Sequence, residues 1–156
     1  ELMNYVLYET DQRFVPLEKE VAYIRSYIEL EEIRYENRFN CNLAIAGNVQ
    51  STQVPPMLLL PFVENAFKHG INEESNNAWI NIALDVTDGT LHFQLENSLP
   101  ELSAGRKKNG KGIGIKNVKK RLALLYPGNH KLKCSKEEHY YRVELNINLD
   151  SNNEPS

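Results

Sequence analysis

The sequence predicts an α+β fold: a two-layer sandwich with helices packed on one face of a mostly antiparallel, mixed sheet. Three observations lead there. One long amphipathic helix, residues 17–37, precedes a first strand. A short helix is then followed by two strands joined through Asp88-Gly89, a pair suited to a tight hairpin turn. A last helix, 113–125, is followed by two more strands. The order helix, strand, helix, two strands, loop, helix, two strands shows no internal repeat.

Composition sets outer limits. At 156 residues the chain is one domain with room for a core, and its 41% apolar and 25% charged residues are ordinary for a globular protein. A net charge of −3 speaks against a nucleic-acid-binding domain, which carries a basic excess. Cys41 and Cys134 both fall in strand-like runs and read as buried thiols of a reducing compartment. No apolar run reaches membrane-spanning length, and no signal peptide is recognisable. The chain opens mid-pattern without an initiator Met, so it is expected to be a piece of a longer protein whose membrane portion lies upstream.

In chain order, ELMNYVLY (residues 1–8) carries a helical apolar stripe and is expected to be the end of an upstream helix. Pro16 precedes the long helix, where a missing N–H does least harm. Leu17, Val21, Ile24 and Ile28 form its buried stripe, widened by Tyr27, Leu30 and Tyr35. Glu18, Glu20, Arg25, Glu29, Glu32 and Glu36 read as solvated outer faces. Residues 39–46 alternate as a strand. Pro61 is incompatible with a continuous helix through Met57, so a turn or kink is expected over 56–60, with regular helix from 61 to 70. Gly70 is placed to end that helix in a left-handed turn. The hairpin 78–86 and 90–97 follows, then a Ser-, Gly-, Lys- and Asn-rich loop over 98–111. That loop is long enough to be functional. Strands at 130–135 and 140–149 and a frayed tail complete the chain.

Two stretches carry chemistry. In Pro61-Phe-Val-Glu-Asn-Ala-Phe-Lys-His-Gly70, Asn65, Lys68 and His69 stand three and four residues apart on one helical face. An amide oxygen, a cation and an imidazole suit a metal-bound polyphosphate, although such clusters also occur as solvated edges of half-buried helices. Gly110-Lys-Gly112-Ile-Gly114 opens the last helix, where glycines allow close backbone approach and free N–H groups attract an anion. It is neither a dinucleotide fingerprint nor a P-loop, and loops also use glycine merely for flexibility. His92, His130 and His139 have no metal-ligand neighbours at useful spacing and read as structural.

VPPMLLLPFVENAFKHG, then two strands ending in LEN, then GKGIGIKNVKKRLALLYPG resembles the ATP-binding domain of two-component sensor histidine kinases. With VPLEKEVAYIRSYIELEEIRYENRF the resemblance is to the LytS/YehU type, over nearly the whole chain. It implies the Bergerat ATP-binding fold shared with gyrase-type and Hsp90-type ATPases, with ATP and Mg²⁺ as cofactors. Asn65 would hold Mg²⁺ against the phosphates, with Lys68 and His69 on the phosphate side. Residues 98–111 would be the ATP lid, and Gly110, Gly112 and Gly114 its hinge. Arg121 would hold the lid or a phosphate, or else be a solvated charge.

Two departures from the family pattern stand out. The usual Asp-x-Gly-x-Gly adenine motif is replaced by Glu96-Asn97-Ser98-Leu99-Pro100, in which either Glu96 or Asn97 would accept from the adenine amino group. Gyrase-type ATPases carry a water-activating Glu one turn before the metal-binding Asn; here that position is Pro61. Glu64 points roughly 100° away from Asn65 around the helix. The resemblance therefore implies phosphoryl transfer to a histidine on the upstream dimerisation helices, for relay to the Asp of a response regulator.

The implied organisation is the end of the dimerisation region at 1–15, the catalytic domain at 16–149 and a tail at 150–156. The implied partners are the protein's own dimerisation domain, in a homodimer of the full-length protein, and a response regulator receiver domain. The implied location is the cytoplasmic side of an inner-membrane protein. The rival readings are a degenerate signalling module with little nucleotide binding and an ATPase or serine kinase of the same superfamily.

Overall fold

A computed structural model describes residues 12–71, 76–100 and 113–150. The elements run β1 (Val15–Pro16), α1 (Leu17–Arg34), β2 (Phe39–Gly47), β3 (Gln53–Val54), α2 (Leu60–Gly70), β4 (Ala78–Thr87), β5 (Thr90–Ser98), α3 (Ile113–Leu125), β6 (His130–Lys136) and β7 (Tyr140–Asn148). Five strands form one sheet in the order β2-β4-β5-β7-β6. β2 pairs parallel with β4, and every other pairing in the sheet is antiparallel. The α+β sandwich expected from the sequence is the fold observed.

Alternation decides which face meets the helices. Along β5, Leu91, Phe93, Leu95 and Asn97 are buried, while His92 and Gln94 are exposed on the other face. Ile80, Ile82 and Leu84 of β4 and Val143, Leu145 and Ile147 of β7 continue the buried layer. Onto it pack Phe62, Val63, Ala66 and Phe67 of α2, Ile24 and Ile28 of α1, and Val118 and Leu122 of α3. Phe67 receives Phe39 and Tyr27 edge-on, with ring centroids 5.2 and 5.5 Å away. Such aromatic pairs add modestly to the burial that holds α2 at the centre of the layer.

The turns obey local chemistry. Asp88 and Gly89 both take positive φ, as the two-residue hairpin β4–β5 requires. Gly128, also at positive φ, follows the end of α3. The pair β1–β3 is a short second sheet that the sequence pattern did not reveal, because two-residue strands carry no periodicity. It anchors the start of α1. Pro16 provides no side-chain cap there, and the N–H groups of Leu17 and Glu18 bond instead to Thr52 O and Val49 O.

Three expectations change. Glu20 lies inside the fold at 1% exposure and not on an outer face, because it shares the stripe of Leu17 and Ile24 at helical spacing. Leu30, expected to widen that stripe, is exposed. Gly70 does not adopt a left-handed conformation, and α2 runs directly into extended backbone at Ile71.

Candidate functional site

The turn over 56–59 and the helix after it appear as Pro61 demanded. Met57 takes φ +58°, α2 begins at Leu60, and Pro61 occupies its first turn. Leu59 at the N-cap offers no side-chain hydrogen bond. The carboxylate of Glu20 on α1 replaces it, accepting from the N–H groups of Met57 (2.6 Å), Leu58 (3.1 Å) and Leu59 (3.1 Å). An anion at a helix start also complements the helix dipole.

Asn65 and His69 are half-buried on α2, one turn apart, and Lys68 beside them is exposed. This face turns toward the start of α3, where a Cβ placed on Gly114 would lie 3.8 Å from Pro61 Cβ. The C-terminal end of α2 rests on the end of β5. A Cβ on Gly70 would lie 2.7 Å from Asn97 Nδ2 and 2.9 Å from Ser98 O. Gly70 is thus required for close approach rather than for a turn. Gly114 thus approaches the start of α2 at Pro61, and Asn97 approaches its end at Gly70.

Glu96 and Asn97, left as alternatives by the sequence, separate by strand parity. Asn97 is in phase with the buried layer and 1% exposed. Its Nδ2 donates to Ser98 O at 2.9 Å, and among the described residues its Oδ1 is a buried acceptor with no partner. Glu96 lies on the opposite face, paired with the guanidinium of Arg142 and accepting from Gln94 Nε2. The sheet thus stands between Glu96 and α2, and Glu96 belongs to a polar network on the outer face. Gly110 and Gly112 lie outside the described residues.

Glu64 faces elsewhere. It is one of the carboxylates whose field, after burial and Glu31, raises the Tyr27 phenol, so it lies toward α1. Burial raises the Glu64 carboxyl itself above the usual range. Arg121 is half-buried rather than a solvated charge. Its guanidinium donates to Pro56 O at 2.7 Å and Met57 O at 3.1 Å, joining α3 to the turn before α2. Sequence reasoning missed both Glu20 and Arg121 as structural partners. The register of the buried stripe in α1 was the available signal for Glu20.

Among the described residues no cluster of three or more His, Cys, Asp or Glu could hold a metal ion. A depression of about 350 Å³ on the other sheet face, lined by Ala44, Ala83, Asp85, His92 and Glu144, holds none of the predicted site residues. No helix among the described residues is long and apolar enough to cross a membrane.

Known proteins agree with this architecture. The catalytic domain of the histidine kinase ThkA superposes with a TM-score of 0.65 at 14% identity, covering 88% of this chain and 99% of that one. The fold is that of histidine kinase catalytic domains. Residues 1–39 match the family model described as Histidine kinase. Sensor histidine kinase BtsS of Escherichia coli K12 is 29% identical over 138 residues, 86% of this chain and 24% of BtsS. Sensor protein LytS of Bacillus cereus is 26% identical over 125 residues, 74% of this chain and 21% of LytS. The chain is a homologue of the LytS and BtsS sensor histidine kinases, and it spans about a fifth to a quarter of the length of these relatives.

Proposed function

We propose that this chain is the ATP-binding catalytic portion of a LytS-type sensor histidine kinase, transferring the ATP γ-phosphoryl group to a histidine on its own dimerisation helices. Residues 16–149 form the catalytic domain in this reading, with 1–15 the end of the dimerisation region and 150–156 a tail. A response regulator Asp then receives the phosphoryl group. The cytoplasmic side of the membrane, where ATP is available, is the location this implies.

The observation that carries the reading is Asn97. A buried carbonyl oxygen with no partner is costly unless a ligand donates to it. The exocyclic amino group of adenine is such a donor, whereas the carbonyl that guanine carries there would repel it. The amide is held in this sense by its own bond to Ser98 O. Five residues before Gly70 on α2, Asn65 offers the hard oxygen suited to Mg²⁺, and His69 and Lys68 extend the polar edge on which phosphates would rest. When bound, the metal neutralises phosphate charge during transfer. The chain's share is to position the nucleotide and aim its polar groups at the phosphates.

Transfer to a protein histidine is favoured over rapid hydrolysis because Pro61 cannot act as a base and Glu64 stands roughly 100° around the helix from Asn65. The test is a calorimetric titration with ATP and Mg²⁺, on the wild-type chain and on Asn65→Ala. Submillimolar binding that the variant loses in Mg²⁺ but not in EDTA supports the reading, and extension of the chain to the upstream histidine should then yield phosphohistidine. Absence of binding at millimolar ATP, with or without the upstream helices, would leave a signalling module without nucleotide chemistry.

A further inference from the structure

The most unusual feature outside the nucleotide-facing residues is the turn before α2. Two consecutive peptide units, Pro56–Met57 and Met57–Leu58, are held between a carboxylate and a guanidinium. Their carbonyls accept from Arg121 Nη2 and Nη1, and their N–H groups donate to Glu20 Oε1 and Oε2. Each peptide dipole is aligned with the field between anion and cation, so each partner strengthens the bond made to the other. The left-handed φ of Met57 is an uncommon conformation for a side chain that is not glycine, and it persists because it is bonded from both sides.

The partners come from distant parts of the chain. Glu20 lies 37 to 39 residues before the groups it binds, and Arg121 lies 64 and 65 residues after. A local Ser or Asp at position 59 would have satisfied the helix start alone. The observed arrangement does more: it fixes the start of α2 to α1 and to α3 together. Asn65 follows that start by one turn beyond Pro61, and Gly114 of α3 approaches Pro61. A displacement of the turn therefore changes the spacing between Asn65, Asn97 and Gly114.

We propose that Glu20 and Arg121 are positioning residues of the nucleotide site, acting together through the 56–58 peptides without touching the ligand. This rests on the nucleotide-binding reading above, and its test separates the two. Glu20→Gln, Arg121→Gln and the double variant are made in the 156-residue chain, with Arg121→Lys as the conservative control. Each single substitution is expected to weaken MgATP binding about tenfold, the scale of one lost charge-assisted hydrogen bond, and the double to do little more than the worse single. Arg121→Lys, keeping the charge and one carbonyl bond, should recover part of the loss. Multiplying effects in the double variant, or lowered melting temperatures with unchanged affinity, would refute a shared positioning role.

Amide hydrogen exchange without nucleotide gives the second readout. Glu20→Gln should raise exchange in α3 as well as at Met57, Leu58 and Leu59, and Arg121→Lys should raise it at those three amides. Changes confined to the substituted helix would sink the coupling even if ATP binds. A wild-type chain that binds no ATP would overturn the nucleotide reading, while the exchange pattern would still decide whether the turn is clamped from both helices.

Discussion

Gly70 and Asn97 fit against each other without room for a single added carbon: a Cβ on Gly70 would meet Asn97 Nδ2 at 2.7 Å and Asn97 Cβ at 3.2 Å. The end of α2 and the end of β5 are therefore set by an absence of side chain. Gly70→Ala should push Asn97 off its bond to Ser98 O and misdirect the buried acceptor. The expected outcome is an ATP affinity lowered about tenfold or more, as for loss of a buried hydrogen bond, together with a reduced melting temperature. A titration and a thermal melt read both effects, and wild-type affinity in Gly70→Ala would remove Asn97 from the site.

Glu64 supplies a pH dependence whose sign follows from burial. Its carboxyl is raised in the folded chain, so the folded state holds a proton that the unfolded state has already released. Below the ordinary carboxylate range both states are protonated and the group has no effect. As pH rises through the window between the unfolded and folded values, stability falls. Glu64→Gln should raise the melting temperature slightly at pH 7 and leave it unchanged at pH 3. ATP binding should also be unchanged, because Glu64 faces α1. A loss of phosphoryl transfer in this variant would contradict that orientation.

Cys41 tests whether the edge of the sheet stays closed. Its side chain, on the helix-facing side of β2, is half-buried, and burial with a further contribution from Glu32 pushes the thiol up to about 12. At pH 8 such a group carries about a thousandfold less thiolate than a free cysteine, and alkylation should be slowed in proportion. Mass spectrometry after timed iodoacetamide treatment measures the rate. Labelling of Cys41 at the rate of a small thiol would show that β2 opens from β4 on the reaction time scale.

What the sequence made legible follows from what leaves a local pattern. The hairpin at Asp88-Gly89, the stop of α3 at Tyr126-Pro-Gly128 and the break before α2 at Pro61 are dictated within a few residues, and all appear in the structure. Glu20 was misread for an instructive reason. A carboxylate in a run of charged residues looks solvated, yet its register with Leu17 and Ile24 places it on the buried stripe. Composition and periodicity disagreed there, and periodicity was the better guide. The partners of Arg121 were not legible, since bonds to backbone carbonyls more than sixty residues away leave no trace in either segment. Gly70 was placed correctly but for the wrong reason: a close approach and a left-handed turn both demand glycine, and only the sheet reveals which.

The same limit applies to Glu96 and Asn97, and it yields the sharpest prediction. Adjacent residues on a strand point to opposite faces, so one must meet the helices and the other cannot. The pairing of Asn81 with Glu96 and of Ile80 with Asn97 fixes the phase, with Ile80 buried and Asn81 exposed. Asn97→Ala deletes the orphaned acceptor and should weaken ATP binding by about tenfold to thirtyfold, the range for one buried hydrogen bond. Glu96→Gln removes a charge from the outer face, where it pairs with Arg142, and should leave the ATP affinity unaltered. The two substitutions lie one residue apart and differ only in the face they reach, so general destabilisation of β5 cannot mimic the contrast. Equal losses in both variants, or a loss in Glu96→Gln alone, would require the nucleotide to lie on the other side of the sheet.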